Sequence, residues 1–153
     1  MASDEKISKR EFIEKILEIS HAETLASGAD DEAFDPVVYR AYRIGIADTI
    51  DVRDPRGVLL RSDAARLIHM YMKKILLLSD IPDISGAEEL KDLYDCSACT
   101  AHIAAVYLRG IMGPKDMPGA GGRWFRVFDL NSPVSRTEAE RIIERTVSLG
   151  GKA

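Results

Sequence analysis

The feature that most constrains this chain is the start of its last predicted helix, within the segment VSRTEAERIIERTV at residues 134–147. Ser135 is followed three positions later by Glu138, the capping-box pattern in which each side chain accepts a hydrogen bond from a backbone N–H at the helix start. Four residues then recur on one face at the spacing of an amphipathic helix: Ala139, Ile142, Ile143 and Thr146. The segment therefore predicts a capped helix that buries one face.

Two other segments carry related helix starts. Residues 7–12 read ISKREF, which again places a serine three positions before a glutamate. Residues 59–68 read LLRSDAARLI, which keeps an arginine and an acidic residue ahead of an apolar stripe. Three related helix starts in one short chain predict an internal repeat.

The order of the elements follows from apolar periodicity and from Gly and Pro signals. Helices are predicted over residues 7–20, 35–44, 61–78, 87–93, 97–111 and 135–149. Residues 48–57 and 114–123 are rich in turn residues and are predicted as loops, the second of them mobile, and residues 124–128 (WFRVF) as a short strand-like patch. The predicted fold class is all-α.

Two helix–loop–helix blocks overlay on their glycines. Residues 38–46 (VYRAYRIGI) and 103–111 (IAAVYLRGI) then agree at Tyr, Gly and Ile. The second block carries about ten additional residues before its next helix, and these match the Pro/Gly-rich stretch 114–123.

We interpret residues 7–149 as a single repeat domain. Its parts are 7–20 as the closing helix of a partial repeat, 33–78 as one repeat, and 81–149 as a repeat with an inserted loop. Residues 1–6 begin with Met-Ala-Ser, a start typical of those added for expression, and are predicted to be a disordered lead.

Composition and motifs limit the function classes. The net charge of −4 offers no basic stripe to a phosphate backbone, which argues against nucleic-acid binding. No run of 18 apolar residues is present, so no transmembrane helix is expected, and the charged N-terminal residues are unlike a signal peptide. There is no nucleophile elbow, no P-loop lysine after the glycines at 119–122, and no HExxH. We therefore expect a non-catalytic protein with no cofactor and no metal.

A helix that ends in Gly-Ile, followed by a loop and a Thr-Arg-Ala-Glu-like helix start, resembles the S-layer homology (SLH) domain. The resemblance covers residues 7–20 and 33–148. It implies a pseudo-threefold spindle, in which the motif helices form a central three-helix bundle and the remaining helices form prongs. It also implies a cell-surface module that attaches noncovalently to secondary cell-wall polysaccharide, bound in grooves between the repeats.

The resemblance further implies which residues contact the anionic sugar substituents. The positions that match the motif are Ser8, Lys9 and Glu11, then Arg61 and Asp63, then Ser135, Arg136 and Glu138. The positive end of a helix suits a carboxylate, and an arginine in the first turn adds a planar fork of donors. The alternative interpretation is that the motif only caps helices and that its basic residues are solvated charges.

Trp124 has two interpretations. Its indole ring suits stacking against a sugar face, which would make it a ligand-binding residue. It also suits the core beneath the inserted loop, and core packing is the preferred prediction because large aromatic side chains mostly serve burial.

Cys96 and Cys99 form a C-x-x-C pair at the start of a predicted helix, with His102 three residues beyond. A helix N-terminus favours the thiolate, so redox and metal chemistry must both be considered. Zinc requires four ligands, and neither His21 nor His69 has the spacing of a fourth. A thioredoxin-like motif would require a βαβ context. We expect buried structural thiols first, a local disulfide second, and metal or catalytic chemistry last.

The sequence thus predicts a binding module whose partner is cell-wall polysaccharide. The alternative is a protein–protein docking module that has lost glycan binding and uses residues 114–128 as its contact surface. A thiol enzyme acting through the cysteine pair is a third hypothesis. Because only two prong helices are evident, we also consider a homodimer in which a second chain supplies the missing prong.

Overall fold

A computed structural model describes residues 5–20 and 34–150 of the chain. Over these residues the protein is mostly helical, with six helices and a small two-stranded antiparallel hairpin. The helices are α1 (Lys9–Ser20), α2 (Pro36–Ile44), α3 (Thr49–Arg53), α4 (Arg61–Lys74), α5 (Thr100–Leu108) and α6 (Arg136–Gly150), and the strands are β1 (Lys115–Pro118) and β2 (Trp124–Val127). The prediction of a mainly helical chain is confirmed. The all-α assignment is wrong for the hairpin, although its second strand, β2, confirms the strand-like patch predicted at residues 124–128.

The serines that were predicted to cap α1 and α6 do so. The Ser8 hydroxyl accepts the Glu11 N–H at 3.1 Å, and the Ser135 hydroxyl accepts the Glu138 N–H at 3.1 Å. At α4, where the hydroxyl residue is missing, the Asp63 carboxylate instead accepts the Leu60 N–H at 2.9 Å. Each helix start therefore satisfies one of its exposed backbone donors with a side chain.

The segments that lead into α1, α4 and α6 hydrogen-bond to one another in a closed ring. The Ile7 N–H donates to the Val134 carbonyl at 3.3 Å, the Val134 N–H to the Leu59 carbonyl at 2.8 Å, and the Leu59 N–H to the Ile7 carbonyl at 2.9 Å. All three side chains are buried. We call this arrangement the backbone ring; it fixes the three helix starts around one apolar centre.

A second set of hydrogen bonds surrounds the backbone ring. The first residue of each helix donates its N–H across to the next segment: Lys9 to the Gly57 carbonyl (2.9 Å), Arg61 to that of Ser132 (2.9 Å), and Arg136 to that of Glu5 (2.7 Å). These bonds place the side chains of Lys9, Arg61 and Arg136 at neighbouring helix starts.

The hydrophobic core continues from the backbone ring along the helices. Buried residues of α1, α4 and α6 share it: Phe12, Ile13 and Ile16, then Ala64, Leu67 and Ile68, then Ala139 and Ile142. α5 packs along α4 and contributes Ile103, Ala104 and Val106, while α2 packs against α1. None of the helices in the described part of the chain is long and apolar enough to cross a membrane.

The prediction of a loop over residues 48–57 is wrong for its first half, which forms α3. Asp48 accepts the Thr49 N–H at 2.7 Å, while the Asp51 carboxylate reaches back to the Asp48 N–H at 2.8 Å. The two aspartates are three positions apart and form a capping box between themselves. The aspartates that indicated a turn in the sequence therefore form the start of a helix.

Three predicted helices are shorter than expected or are replaced by turns. Residues 87–93 form successive turns after a 3₁₀ turn at Ser85–Ala87. The hydrogen bonds in these turns join residues three positions apart: the Leu90 N–H donates to the Ala87 carbonyl, and the Leu93 N–H donates to the Leu90 carbonyl. α4 ends at Lys74 rather than residue 78, because Leu77 takes a left-handed backbone conformation with φ of 56°. α5 begins after residue 99, where the cysteine turn ends, and not at residue 97.

Two predictions about irregular segments are also wrong. Within 114–123, residues 115–118 are β1, which pairs with β2 in the register Lys115↔Val127 to Pro118↔Trp124. The turn between the strands uses Gly121 and Gly122 at positive φ, a conformation that glycine adopts without steric cost. Residues 5 and 6 of the predicted lead belong to the fold, since Lys6 bridges to Ser135. Residues 1–4, 21–33 (with His21) and 151–153 lie outside the described residues.

Candidate functional site

A groove lies between α4, α6 and the segment that joins α5 to β1. Its cavity has a volume of about 210 Å³. Charged side chains and one turn dominate its lining, chiefly Arg61, Gly113, Lys115, Glu138, Arg141 and Arg145. We call it the α4–α6 groove, and it contains four of the basic side chains of the protein.

Arg61 forms the base of the groove and is almost completely buried, with 1% of its surface exposed. Its Nε donates to the Phe128 carbonyl at 2.8 Å, one Nη to the Gly113 carbonyl at 2.6 Å, and the other to the Glu138 carboxylate. The guanidinium also lies 4.7 Å from the centre of the Phe128 ring. The prediction of a solvated charge is wrong for Arg61, whose donors are committed to the fold.

Burial lowers the pKa of the Arg61 guanidinium, and the charges of Asp129 and Asp92 oppose that shift. An arginine remains protonated at neutral pH even so. Its positive charge is therefore held in place beneath the groove and largely balanced by the Glu138 carboxylate.

The walls of the groove carry cations that are open to solvent. Arg141 and Arg145 are exposed and lie four positions apart on α6, so they face the same side of that helix. Arg145 donates to the Ile111 carbonyl at 3.2 Å, whereas Arg141 has no ion-pair partner among the described residues. Across the groove, Lys115 pairs with Asp129 at 3.1 Å. This arrangement suits a ligand that carries carboxylates.

At the start of α1, the basic motif residue is buried within a network of charges. Lys9 is 4% exposed, donates to the Ile50 carbonyl at 3.4 Å, and lies 3.6 Å from the fully buried carboxylate of Asp51. Arg66 donates two hydrogen bonds to that carboxylate, of 2.6 and 2.8 Å, and it also contacts the motif residue Asp63 at 3.3 Å. Lys9 is thus a structural cation rather than a solvated one.

At the start of α6, Arg136 is held between two glutamates. Its guanidinium makes two bonds to the Glu11 carboxylate, one of them at 3.0 Å, and lies 3.6 Å from Glu5. Arg136 is partly exposed, yet carboxylates of the protein already occupy the positions that an acidic ligand would need. The structure therefore brings the predicted motif residues together in pairs: Arg61 with Glu138, and Arg136 with Glu11.

Trp124 lies at the start of β2 with 69% of its surface exposed. The preferred prediction that it fills the core is therefore wrong. Three of the four β2 residues are exposed and only Val127, next to the core residue Phe128, is buried, so most of β2, including Trp124, does not reach the core. Trp124 does not line the α4–α6 groove.

Cys96 and Cys99 form a disulfide. The preferred prediction of two buried thiols is therefore wrong, and the second prediction, a local disulfide, matches the structure. Both residues are only partly buried, since they close a surface turn ahead of α5. No group of three or more His, Cys, Asp or Glu residues able to hold a metal ion occurs in the part of the chain that the structure describes.

A histidine pair links α4 to α5. The Nδ1 atoms of His69 and His102 are 2.8 Å apart, and His69 Nε2 is 2.8 Å from the Asp80 carboxylate. Desolvation, followed by the charges of His69, Arg66 and Lys73, lowers the pKa of His102 to about 4. This pair was not predicted, because residues 69, 80 and 102 have no common spacing in the sequence.

We expect the domain to lose stability as the pH falls from about 6.5 to about 4. In that range unfolded His102 binds a proton that folded His102 does not, so acid favours the unfolded state. The full shift corresponds to about 3 kcal/mol, and because the ring is partly exposed, solvent screening reduces the expected loss to about 1–2 kcal/mol. Urea unfolding at several pH values measures it. His102→Gln should flatten the dependence, and an equal pH dependence in both proteins would contradict the assignment.

Sequence reasoning selected the helix starts and missed the exposed cations of the groove. Arg141 and Arg145 carry a signal that was available, because two arginines at i and i+4 share one face of a predicted helix. Lys115 carries no such signal in the sequence, since only the tertiary structure brings β1 opposite α6.

Comparison of the sequence with protein-family models and with curated proteins finds no match.

Proposed function

We propose that this domain is a non-catalytic binding module of the SLH type, which attaches noncovalently to acidic cell-wall polysaccharide at the cell surface. The observation that carries the proposal is the α4–α6 groove, in which exposed Arg141, Arg145 and Lys115 surround a buried arginine.

The backbone ring supports the SLH-type architecture within this proposal. A pseudo-threefold spindle requires three motif helices to start around one axis with equivalent contacts. Ile7, Leu59 and Val134 each donate to and accept from one another in cyclic order, and each stands two positions before the first residue of its helix. α1, α4 and α6 are then the central helices, and the other helices take the place of prongs.

The groove suits an acidic glycan for electrostatic reasons. A carboxylate substituent accepts two parallel bonds from a guanidinium, and such charge-assisted bonds are about twice as strong as neutral ones. Two arginines one helical turn apart offer such forks along one wall, and Lys115 offers a point charge opposite them. The overall negative charge of the protein disfavours non-specific binding to other polyanions.

The contacts at the other two helix starts favour the α4–α6 groove over them. Lys9 faces the buried Asp51 carboxylate, and Arg136 faces Glu5 and Glu11. An acidic ligand at either position would displace a carboxylate of the protein or be repelled by it. In the groove the same holds for Arg61 and Lys115, which pair with Glu138 and Asp129. It does not hold for Arg141 and Arg145, which form no ion pair among the described residues. The role expected of Arg136 from the family resemblance is therefore assigned here to Arg141 and Arg145.

The exposed hairpin supports a second candidate function, protein–protein docking through residues 114–128. Met117, Trp124 and Phe125 are all exposed on its two short strands, which is a concentration of large apolar side chains on a small surface. Residues of this kind dominate the energetics of protein interfaces.

Co-sedimentation with isolated peptidoglycan–polysaccharide sacculi tests the proposed function. We expect the protein to sediment with intact sacculi and not with sacculi stripped of their secondary polymer. Arg141→Ala combined with Arg145→Ala should weaken binding at least about tenfold, because each charge-assisted bond contributes about 1.5–3 kcal/mol. Arg43→Ala with Arg53→Ala is the matched control, since it removes the same charge from exposed positions away from the groove.

Equal losses in the two double variants would contradict a specific groove and leave only a net-charge effect. Absence of binding to either preparation would contradict glycan attachment by this domain. Trp124→Ser with Phe125→Ser separates the two candidates, because it should leave sacculus binding intact and abolish docking to a protein.

A further inference from the structure

The Cys96–Cys99 disulfide lies at the surface. Ser97 and Ala98, the two residues between the cysteines, are exposed, and both cysteines are partly exposed. The turn they close precedes α5, where the Thr100 hydroxyl bonds to the carbonyls of Leu93 and Cys96 at 2.9 and 3.2 Å. The disulfide turn therefore lies at the surface, where a reductant in solution can approach it.

The segment ahead of the disulfide has little regular structure of its own. Residues 88–99, all of which the structure describes, form turns and contain no helix. Short-range bonds link them, such as those from the Leu93 N–H to the Leu90 carbonyl and from the Asp95 N–H to the Asp92 carbonyl. The segment is also tied to the rest of the fold, because Leu90 and Leu93 are buried in the core and the Lys91 N–H donates to the Arg126 carbonyl at 2.8 Å. The covalent closure at 96–99 adds to these contacts at the end of the segment, where the Asp95 N–H bond leads back to Asp92.

Asp92, in the middle of that segment, binds the backbone of the three residues that follow β2. Its carboxylate accepts the N–H groups of Phe128, Asp129 and Leu130 at 2.7, 2.8 and 3.4 Å. Asp129 has φ of +67°, a left-handed conformation that is uncommon outside glycine, although aspartate adopts it more readily than most residues. Asp92 therefore helps to hold this bend, together with Ser132, which donates to the carbonyl and the carboxylate of Asp129.

Phe128, one of the residues that Asp92 binds, contacts Arg61. The Phe128 carbonyl accepts the Arg61 Nε–H, and the Phe128 ring lies against the guanidinium. A continuous set of contacts thus runs from the disulfide turn through Asp92 and Phe128 to the base of the α4–α6 groove.

We propose that Cys96–Cys99 is a redox site for dithiols, and that Asp92 is a positioning residue through which its oxidation state changes the α4–α6 groove. A thiolate of the dithiol attacks one cysteine sulfur and breaks the disulfide, and its second thiol then resolves the mixed disulfide. Two electrons and two protons pass to the cysteines, which become thiols, and the dithiol becomes a disulfide. The effect on ligand binding rests on the proposed function, whereas the effect on residues 128–130 does not.

Amide hydrogen exchange of residues 128–130, measured by NMR before and after reduction with dithiothreitol, tests the inference without a ligand. Loss of a covalent closure frees the turn, so we expect these three amides to exchange about tenfold faster while the amides of α1 and α6 keep their protection. Cys96→Ser with Cys99→Ser should reproduce the effect. Asp92→Asn should do so in the oxidised protein, and Asp95→Asn, which removes a neighbouring exposed carboxylate, should not.

Unchanged exchange at residues 128–130 would overturn the inference, as would a disulfide that resists dithiothreitol. Loss of helical circular dichroism on reduction would also overturn it, because the inference confines the change to the turn and the bend. Sacculus binding by the oxidised and reduced proteins completes the test. Faster amide exchange at residues 128–130 after reduction, together with weaker sacculus binding, supports both proposals. Faster exchange with no sacculus binding in either redox state contradicts the proposed function alone.

Discussion

Replacing Arg61 by alanine is expected to destabilise the domain by about 3–5 kcal/mol, because the change removes one partner of a buried ion pair and leaves the other groups without a donor. The Glu138 carboxylate and the carbonyls of Phe128 and Gly113 all lose their bond. The Phe128 ring loses the guanidinium that covers it. Urea unfolding followed by circular dichroism measures the change in the free energy of unfolding.

Two comparisons sharpen the Arg61 prediction. Arg61→Lys keeps the charge and loses the planar fork, so it should recover only part of the stability. Arg141→Ala removes an exposed arginine from the same groove and should change the free energy of unfolding by less than about 0.5 kcal/mol. A loss below about 1 kcal/mol in Arg61→Ala would show that the buried bonds contribute little. Binding assays should use the Arg141 and Arg145 variants, since loss of binding in Arg61→Ala would also follow from unfolding.

Asp51→Asn is expected to have an effect of similar size, about 3–5 kcal/mol, although it changes the side-chain shape little. The Asp51 carboxylate is fully buried, receives two bonds from Arg66, lies beside Lys9, and accepts the Asp48 N–H at the start of α3. Burial lowers the pKa of Arg66, and hydrogen bonds and charge from Asp51 more than offset this, so the pKa of Arg66 is raised overall. The neutral amide would leave the buried Lys9 ammonium without its counter-charge and Arg66 with only the Asp63 carboxylate.

Thermal unfolding monitored at low and high salt measures the Asp51 effect. Salt screens exposed pairs far more than buried ones, so the difference from the unmodified protein should persist in 1 M NaCl. Asp54→Asn is the matched control, because it neutralises an exposed carboxylate three positions further along the chain. A destabilisation as small as that of the control would mean that Lys9 and Arg66 find other partners.

The helix starts could be predicted from the sequence because their causes are local. Ser8 and Ser135 cap their helices through contacts that span three residues, and any chain with those neighbours has them available. α2 likewise begins with Asp35 and Pro36 and ends at Gly45, all recognisable signals. The missed α3 also has a local cause, since an aspartate replaced the glutamate of the usual capping box.

The remaining differences have non-local causes. Lys9 and Arg61 read as surface charges because lysine and arginine usually are, and only the acids at positions 51 and 138, far along the chain, make their burial tolerable. The exposure of Trp124 depends on β1, which lies in the glycine- and proline-rich stretch 114–123 and is indicated as a loop until its pairing with β2 is known. The groove cations depend on α6 lying against the α5–β1 segment, which no pattern within α6 reveals.

The backbone ring also determines when this protein can complete its fold. Its bonds join residues around Ile7 to residues around Val134, which are far apart in the sequence. The ring therefore stays open on the ribosome until the start of α6 has emerged, although α4 and α5 are able to pack as soon as they are made. Closing so long a loop adds an entropic cost that local contacts cannot offset in advance, which makes this a high-contact-order step. We therefore expect closure of the ring to be a late step in folding, and the one that fixes the three helix starts around their common centre.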